Sequence, residues 1–494
     1  MKESGILMHI TSLPDRRGIG TLGDCAFQFV DFLAETGQKY WQILPTGIAG
    51  AGNSPYASTS SFAGNINLID LDILESEGLL EAAEYVNIDW GTNPSAVDYG
   101  KIGNNRMSVL GKAARRFDDR NVAYTWFCEA NAYWLDDFAL FMAIKESQGM
   151  RGLETWPEEY RKRDRLALAA FSKENEERIK FYKKTQFFFY KQATALKAYA
   201  NRNKIKLIGD MPFYTAYDSA DVWAHPGQFL LDKNLFPVEV AGVPPDAFSE
   251  DGQLWGNPLY DFEEMETDNF DWWRKRMTYL LTLFDVIRID HFRAFESFYA
   301  IPSGSKDAKT GIWKKGPGMK LFESLNLDKS KIIAEDLGMI DDEVRKLVKT
   351  TGFRGMKVLE FAFGGGKTNE YLPKNYKDKN CVVYTGTHDN DTVRGWYSNL
   401  GVKEKLRVIR HLPYALFMKK SKALIRCAME SKAELAIIPI QDYLDLDSSA
   451  RMNIPGTSSG NWEWRIDKGY HTPQLVEYIR SFLKYRKDED RNQQ

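Results

Sequence analysis

A (β/α)8 barrel of the TIM type is the fold this sequence predicts, and two observations predict it. Eight short apolar runs recur along the 494 residues, and several of them end in polar or charged groups. Helical patterns separate most of these runs. Apolar strand runs alternating with helices imply parallel strands, and eight such units close into a barrel. The polar strand ends would then gather on the C-terminal face, where barrel enzymes place their active sites.

The runs cover residues 5–12, 40–45, 206–212, 284–291, 331–336, 355–363, 381–389 and 435–442. Helices are expected over 26–35, 272–283, 341–350 and 403–431. The spacing is uneven. The gap between the second and third runs carries helical patterns over 124–147 and 174–203, so 66–200 is expected to be an inserted, largely helical subdomain. The gap after the third run, 214–265, is rich in Gly, Pro and aromatic residues and is expected to be a loop-rich subdomain over the barrel mouth. Residues 1–494 are read as one catalytic barrel with these two insertions. No C-terminal β-sandwich is expected.

Composition narrows the function. Net charge is −2 and the sequence pI is about 6.4, which gives no footprint for nucleic acid or an anionic membrane. Aromatic residues make up 13% of the chain; they fill cores, and their flat faces also stack on sugar rings. Cys25, Cys128, Cys381 and Cys427 lie far apart, which suits free thiols in a reducing cytosol. No basic-then-apolar leader opens the chain, and no apolar run approaches the roughly 20 residues that span a bilayer. A cytoplasmic protein, monomeric or weakly dimeric, is expected.

Two motifs mislead. Gly18–Gly23 matches G-x-G-x-x-G, but a dinucleotide site also wants an acid ending the next strand. That strand ends Ile43-Leu44-Pro45, so the glycines are read as a tight turn. His388-Asp389-Asn390-Asp391 lacks the glycine and glutamate of a calcium loop, and no metal site is predicted.

The informative acids sit at strand ends. Within 284–291, side chains alternate, so Arg288 and Asp290 share a face. A guanidinium beside a carboxylate favours its ionised form, as a nucleophile requires. Alone, such a pair reads as a structural salt bridge. Two further strands end in acids, however: Glu335 with Asp336, and Asp389 with Asp391. Glu335 follows the apolar Ile332-Ile333-Ala334, which favours a raised pKa and proton donation. One ionised carboxylate and one protonated carboxylic acid are the requirements of retaining glycoside chemistry.

The segments Arg288–Arg293 (RIDHFR), Ala334–Gly338 (AEDLG) and Gly386–Thr392 (GTHDNDT) resemble the motifs of the amylomaltase, or 4-α-glucanotransferase (disproportionating enzyme), family of the α-amylase clan. Ser54-Pro55-Tyr56, Gly209–Pro212, Ala241–Asp246, Gln253–Tyr260 and Asn461-Trp462 extend the resemblance across nearly the whole chain. The resemblance implies that Asp290 is the nucleophile, Glu335 the general acid/base and Asp389 the third carboxylate. It further implies that Arg288 steers Asp290, and that His291 and His388 bind sugar hydroxyls. Tyr56, Asp210, Trp255 and Asn461 match positions that line the glucan groove, and Phe248 lies in the loop 238–252 expected to cover the acceptor side. Its substrates would be α-1,4-glucans and maltooligosaccharides, with no cofactor. Ala247 and Ala51 stand where members of the family often carry Tyr, which leaves ring-closing transfer and secondary glucan binding open.

Two other functions share these residues. An α-amylase-like hydrolase would use the same three carboxylates, and a non-catalytic glucan-binding protein would keep only the groove. The motif-by-motif match favours transfer over hydrolysis. The intact trio favours catalysis over binding.

Overall fold

The computed structural model describes residues 2–245 and 249–486. Among the described residues twelve strands form two sheets. The larger holds eight parallel strands, each at one of the predicted runs: β1 (Glu3–Leu7), β2 (Tyr40–Gln42), β3 (Lys206–Met211), β6 (Val286–Ile289), β9 (Ile332–Ala334), β10 (Gly355–Val358), β11 (Cys381–Tyr384) and β12 (Leu435–Pro439). Their order is β10-β11-β12-β1-β2-β3-β6-β9. The ring is completed where Ala334 N donates to Arg354 O (2.8 Å), beside a parallel bridge between Ile333 and Arg354.

Alternation along the strands fills the interior. Leu7, Tyr40, Ile208, Val286, Ile333, Met356, Val358, Val382, Tyr384, Leu435 and Ile437 form one buried cluster, as expected for a packed barrel rather than a pore. The intervening strand residues pack against the surrounding helices, so both faces are covered and the strands read as continuous apolar runs.

Between β2 and β3 the chain forms three long helices, Tyr99–Arg116, Val122–Ser147 and Glu176–Arg202. Asp98 and Asn121 cap the first two, each accepting from a backbone N–H three residues on. Aromatic contacts hold this layer together and join it to the barrel: Phe117 meets Phe188 edge-on at 5.3 Å, and Phe62 stacks on Trp134 at 5.9 Å.

The smaller sheet was not read from the sequence. It is antiparallel, in the order β5-β4-β7-β8, and joins β4 (Glu239–Val243) and β5 (Gln253–Pro258) to β7 (Ser297–Pro302) and β8 (Ile312–Lys315). The stretch 214–265 therefore contributes two strands, and a third excursion follows the fourth barrel strand. The helical reading of 403–431 also needs correction. Helices Val402–His411 and Lys420–Glu430 are separated by a 3-10 turn over Pro413–Leu416. Pro413 cannot donate the next helical hydrogen bond, so the first helix stops before it.

The glycines at 18–23 are required by close packing. Gly18 has φ +74°, and a Cβ at Gly20 would stand 1.9 Å from Ile10 O. After β12 the described residues contain only short helices and turns, with no β-sandwich. Among the described residues no helix is long and apolar enough to cross a membrane. The four cysteines are free, and burial pushes the thiols of Cys25, Cys381 and Cys427 up to about 12.

Candidate active site

Neighbouring barrel strands bring the predicted acids together. Register places Asp210 of β3 opposite Arg288 of β6, and Ile289 opposite Ala334 of β9. Asp290 and Glu335 each follow directly on that second pair. The backbone N–H of Asp290 donates to Met211 O and that of Glu335 to Ile289 O, both at 3.0 Å, so the ladder hydrogen bonding runs one residue beyond the strands. His291 then turns the chain away in a left-handed conformation, φ +48°, a strained choice for a non-glycine residue.

Arg288 lies between two carboxylates. Its Nη1 contacts both oxygens of Asp210, at 2.7 and 2.8 Å, and Oδ1 of Asp290 at 3.0 Å. Asp210 has a fully buried side chain, whereas that of Asp290 is 30% exposed and open to a ligand. The sequence suggested Arg288 as the partner of Asp290 alone; Asp210 is also its partner and lies closer. Burial alone would lower the pKa of Arg288, but these two acids more than reverse that and hold it well above its ordinary value. Tyr56 donates its hydroxyl to Asp210 Oδ2 at 2.8 Å.

Glu335 is bound differently. Its Oε2 accepts from His291 N at 2.7 Å and its Oε1 from Leu337 N at 2.9 Å. Burial raises its pKa most, Arg288 and the two N–H groups pull it back, and the Asp290 charge raises it again. The net position is about 8. Two carboxyls thus share the guanidinium, and Glu335 beside them is raised first by burial and then by the Asp290 charge.

Asp389 arrives on the loop after β11. Its Oδ1 accepts from Asn453 Nδ2 at 2.7 Å, and its side chain is 47% exposed. His388 Nε2 is 3.3 Å from the same oxygen. The His388 ring stacks on Tyr56 at 5.0 Å, with Trp462 5.7 Å from both rings. The His291 ring is half-buried, with Nε2 shielded from solvent, and lies edge-on to Trp255 at 4.9 Å. Burial, then the Arg293 charge, lowers its pKa to about 3, so it is neutral at physiological pH. Trp255 is partly exposed on β5.

Asn461 is buried, and its amide is occupied within its own loop. Oδ1 accepts from Ile454 N, and Nδ2 donates to Thr457 O and Oγ1. A short amide bonded locally fixes a turn. Phe248 and Ala247 lie outside the described residues.

Residues 8–471 match the family model described as 4-alpha-glucanotransferase. The chain belongs to the 4-alpha-glucanotransferase family. The Clostridium butyricum 4-alpha-glucanotransferase is 45% identical over 477 residues, 96% of this chain and 98% of that protein. The Thermus thermophilus member is 45% identical over 484 residues, 95% of this chain and 96% of its own length. The structure of amylomaltase from Streptococcus agalactiae in complex with acarbose superposes with a TM-score of 0.95 at 41% identity, covering 98% of this chain and 99% of that one. This 4-alpha-glucanotransferase is therefore a glycosyl-transferring enzyme.

The structure adds residues to this site that sequence reasoning missed. Tyr214 is buried, its ring 6.0 Å from both His291 and Trp255, and its hydroxyl has no hydrogen-bond partner among the described residues. Asn453 and Arg451 hold Asp389, the latter donating to its carbonyl at 2.6 Å. Trp462 has φ +66°, a second strained residue beside the acids. Tyr214 and Trp462 had a usable signal: Tyr214 lies two residues after Gly209–Pro212, and Trp462 is itself part of the quoted Asn461-Trp462.

Proposed function

We propose that this enzyme moves α-1,4-glucan segments between maltooligosaccharide, starch and glycogen chains by a retaining double displacement through a covalent glucosyl–Asp290 intermediate. The observation that carries this reading is the contrast between two carboxyls on adjacent strands: Asp290 beside Arg288, and Glu335 pushed up to about 8.

In the first step Glu335 gives its proton to the glycosidic oxygen while an Asp290 oxygen attacks the anomeric carbon. The C–O bond breaks, the reducing-end fragment leaves as an alcohol, and a β-glucosyl ester forms. In the second step ionised Glu335 takes the proton from the 4-hydroxyl of an incoming glucan. That oxygen displaces Asp290, and two inversions leave the linkage α. Neighbouring parallel strands run about 4.8 Å apart, close to the roughly 5–5.5 Å carboxyl separation of retaining enzymes.

The other proposed roles follow from position. Asp389 and His388 bind hydroxyls of the donor ring, with Tyr56 as its stacking neighbour. His291, neutral and half-buried, orients against the same ring, and Trp255 offers an apolar face to the acceptor. Asp210 acts through Arg288 and Tyr56 rather than on the sugar, and Asn461 shapes the loop that meets the glucan. Phe248, which falls between β4 and β5 in the sequence, is proposed to help exclude water, so that a positioned sugar hydroxyl outcompetes solvent. The helical insertion 66–200 and the segment 214–265 are proposed to frame one catalytic unit over the barrel mouth. Free thiols, three of them buried, suit a cytoplasmic setting.

Incubation with maltotriose tests transfer against hydrolysis. Glucose together with maltooligosaccharides longer than the donor is expected, at a constant number of reducing ends. Glucose and maltose alone, with reducing ends rising in step, would make the enzyme a hydrolase.

Substitution of Arg288 by Lys tests the shared guanidinium. The Lys ammonium sits on a shorter, more flexible stem and is not held where Nη1 lies between Asp210 and Asp290. We expect kcat/KM to fall by about 10²-fold, as for a misplaced catalytic group, with little change in melting temperature. A rate equal to the parent would mean that charge alone suffices.

A further inference from the structure

The sixth barrel strand ends in a buried acid for which the chemistry above has no use. Glu360 follows β10 on the 3-10 turn Leu359–Phe361 and is 7% exposed. Its Oε2 accepts from Asn390 Nδ2 at 3.0 Å, and its backbone N–H donates to Thr385 O at 3.2 Å. Asn390 in turn accepts, through Oδ1, from both N and Oγ1 of Thr387 at 2.9 Å. Thr387 Oγ1 accepts from Asp389 N at 3.3 Å. A continuous line of hydrogen bonds therefore runs from Glu360 to the backbone of Asp389, through the loop that carries His388.

Steric fit reinforces that line. Glu360 Oε1 is buried without a hydrogen-bond partner among the described residues, and a Cβ on Gly386 would stand 3.0 Å from it. The carboxyl thus packs directly on the backbone where this loop begins. Burial first, and then the charge of Asp442, keeps Glu360 well above the ordinary carboxylate range, with Asn390 and Arg451 opposing. The carboxyl presents an acceptor to Asn390 at this buried place beside Asp391 and Asp442.

We propose that Glu360 is a positioning residue for glucan transfer, fixing the 386–391 loop through Asn390 and Thr387 so that His388 and Asp389 meet the donor ring in one geometry. The proposal rests on the role given above to Asp389. Glu360→Gln keeps an acceptor oxygen at the same reach from Asn390. Glu360→Asp withdraws the oxygen from Asn390 by one methylene.

The test is maltotriose disproportionation by Glu360→Gln, Glu360→Asp, Asn390→Ala and the Glu360→Asp/Asn390→Ala double variant, each with its melting temperature. Glu360→Gln is expected to keep the parent kcat. Glu360→Asp and Asn390→Ala are each expected to lose about tenfold to a hundredfold in kcat, with a smaller change in KM. The double variant should be no worse than the poorer single one, because both act on one line of contacts. A structural role alone would lower the melting temperature and leave kcat per folded molecule unchanged. The proposal is overturned if Glu360→Asp matches the parent, if Glu360→Gln falls as far as Glu360→Asp, or if the single losses multiply. Asp389→Asn, assayed in parallel, separates the two readings. Parent activity there overturns the role of Asp389, whereas an inactive Asp389→Asn beside a parent-like Glu360→Asp overturns Glu360 alone.

Discussion

Replacing Asp290 by Asn is expected to cut transfer by about 10⁶-fold, the scale seen when a covalent nucleophile is removed, while glucan binding and fold persist. The amide matches the carboxylate in size, and the side chain is 30% exposed, so no buried contact is lost on the ligand side. Arg288 keeps Asp210 as a partner at 2.7 Å, so removing the Asp290 charge does not strand the guanidinium. What disappears is the only atom set proposed to attack the anomeric carbon. Steady-state rates on maltotriose and calorimetric titration with a longer maltooligosaccharide together read both halves of this expectation. An undiminished rate would remove Asp290 from the nucleophile's role; lost binding at a normal melting temperature would recast it as a binding residue.

Glu335→Gln is expected to lower transfer between natural glucans by about 10⁴-fold, the upper range for general acid–base catalysis. An amide neither gives nor takes the proton that both half-reactions need. The pH dependence follows from the position of Glu335 near 8, set chiefly by burial. Its acid form is the active one in the first step, so it is present at neutral pH and is lost as pH rises through that value. For the parent, kcat/KM should fall by about tenfold per pH unit above about 8. In Glu335→Gln that alkaline limb should vanish. An unchanged limb in the variant would assign it to another group.

The barrel was legible because parallel strands covered on both faces must be apolar along their length, and they alternate with helices. The antiparallel sheet was hidden for the opposite reason. Its β8 strand, Ile312–Lys315, is mostly exposed, β4 contains a glycine, and β4 pairs with β7 across a long stretch of chain. Such edges carry little apolar periodicity. Arg288, Asp290, Glu335 and Asp389 stood out because charge at the end of an apolar run is conspicuous. The partnership of Arg288 with Asp210 depends on strand register, which two separate runs do not reveal. Glu360 falls inside an apolar run and reads as ordinary until the loop carrying Asn390 is folded over it.

The covalent intermediate is the central claim, and trapping it is the most direct measurement. An α-maltosyl fluoride needs no proton donor to expel fluoride, so Glu335→Gln should still form the ester and then stall for want of a base. Intact-mass analysis of acid-quenched protein should show an added maltosyl unit, and proteolysis should locate it on the peptide containing Asp290. A burst of fluoride release with no adduct, or an adduct on another residue, would contradict the account.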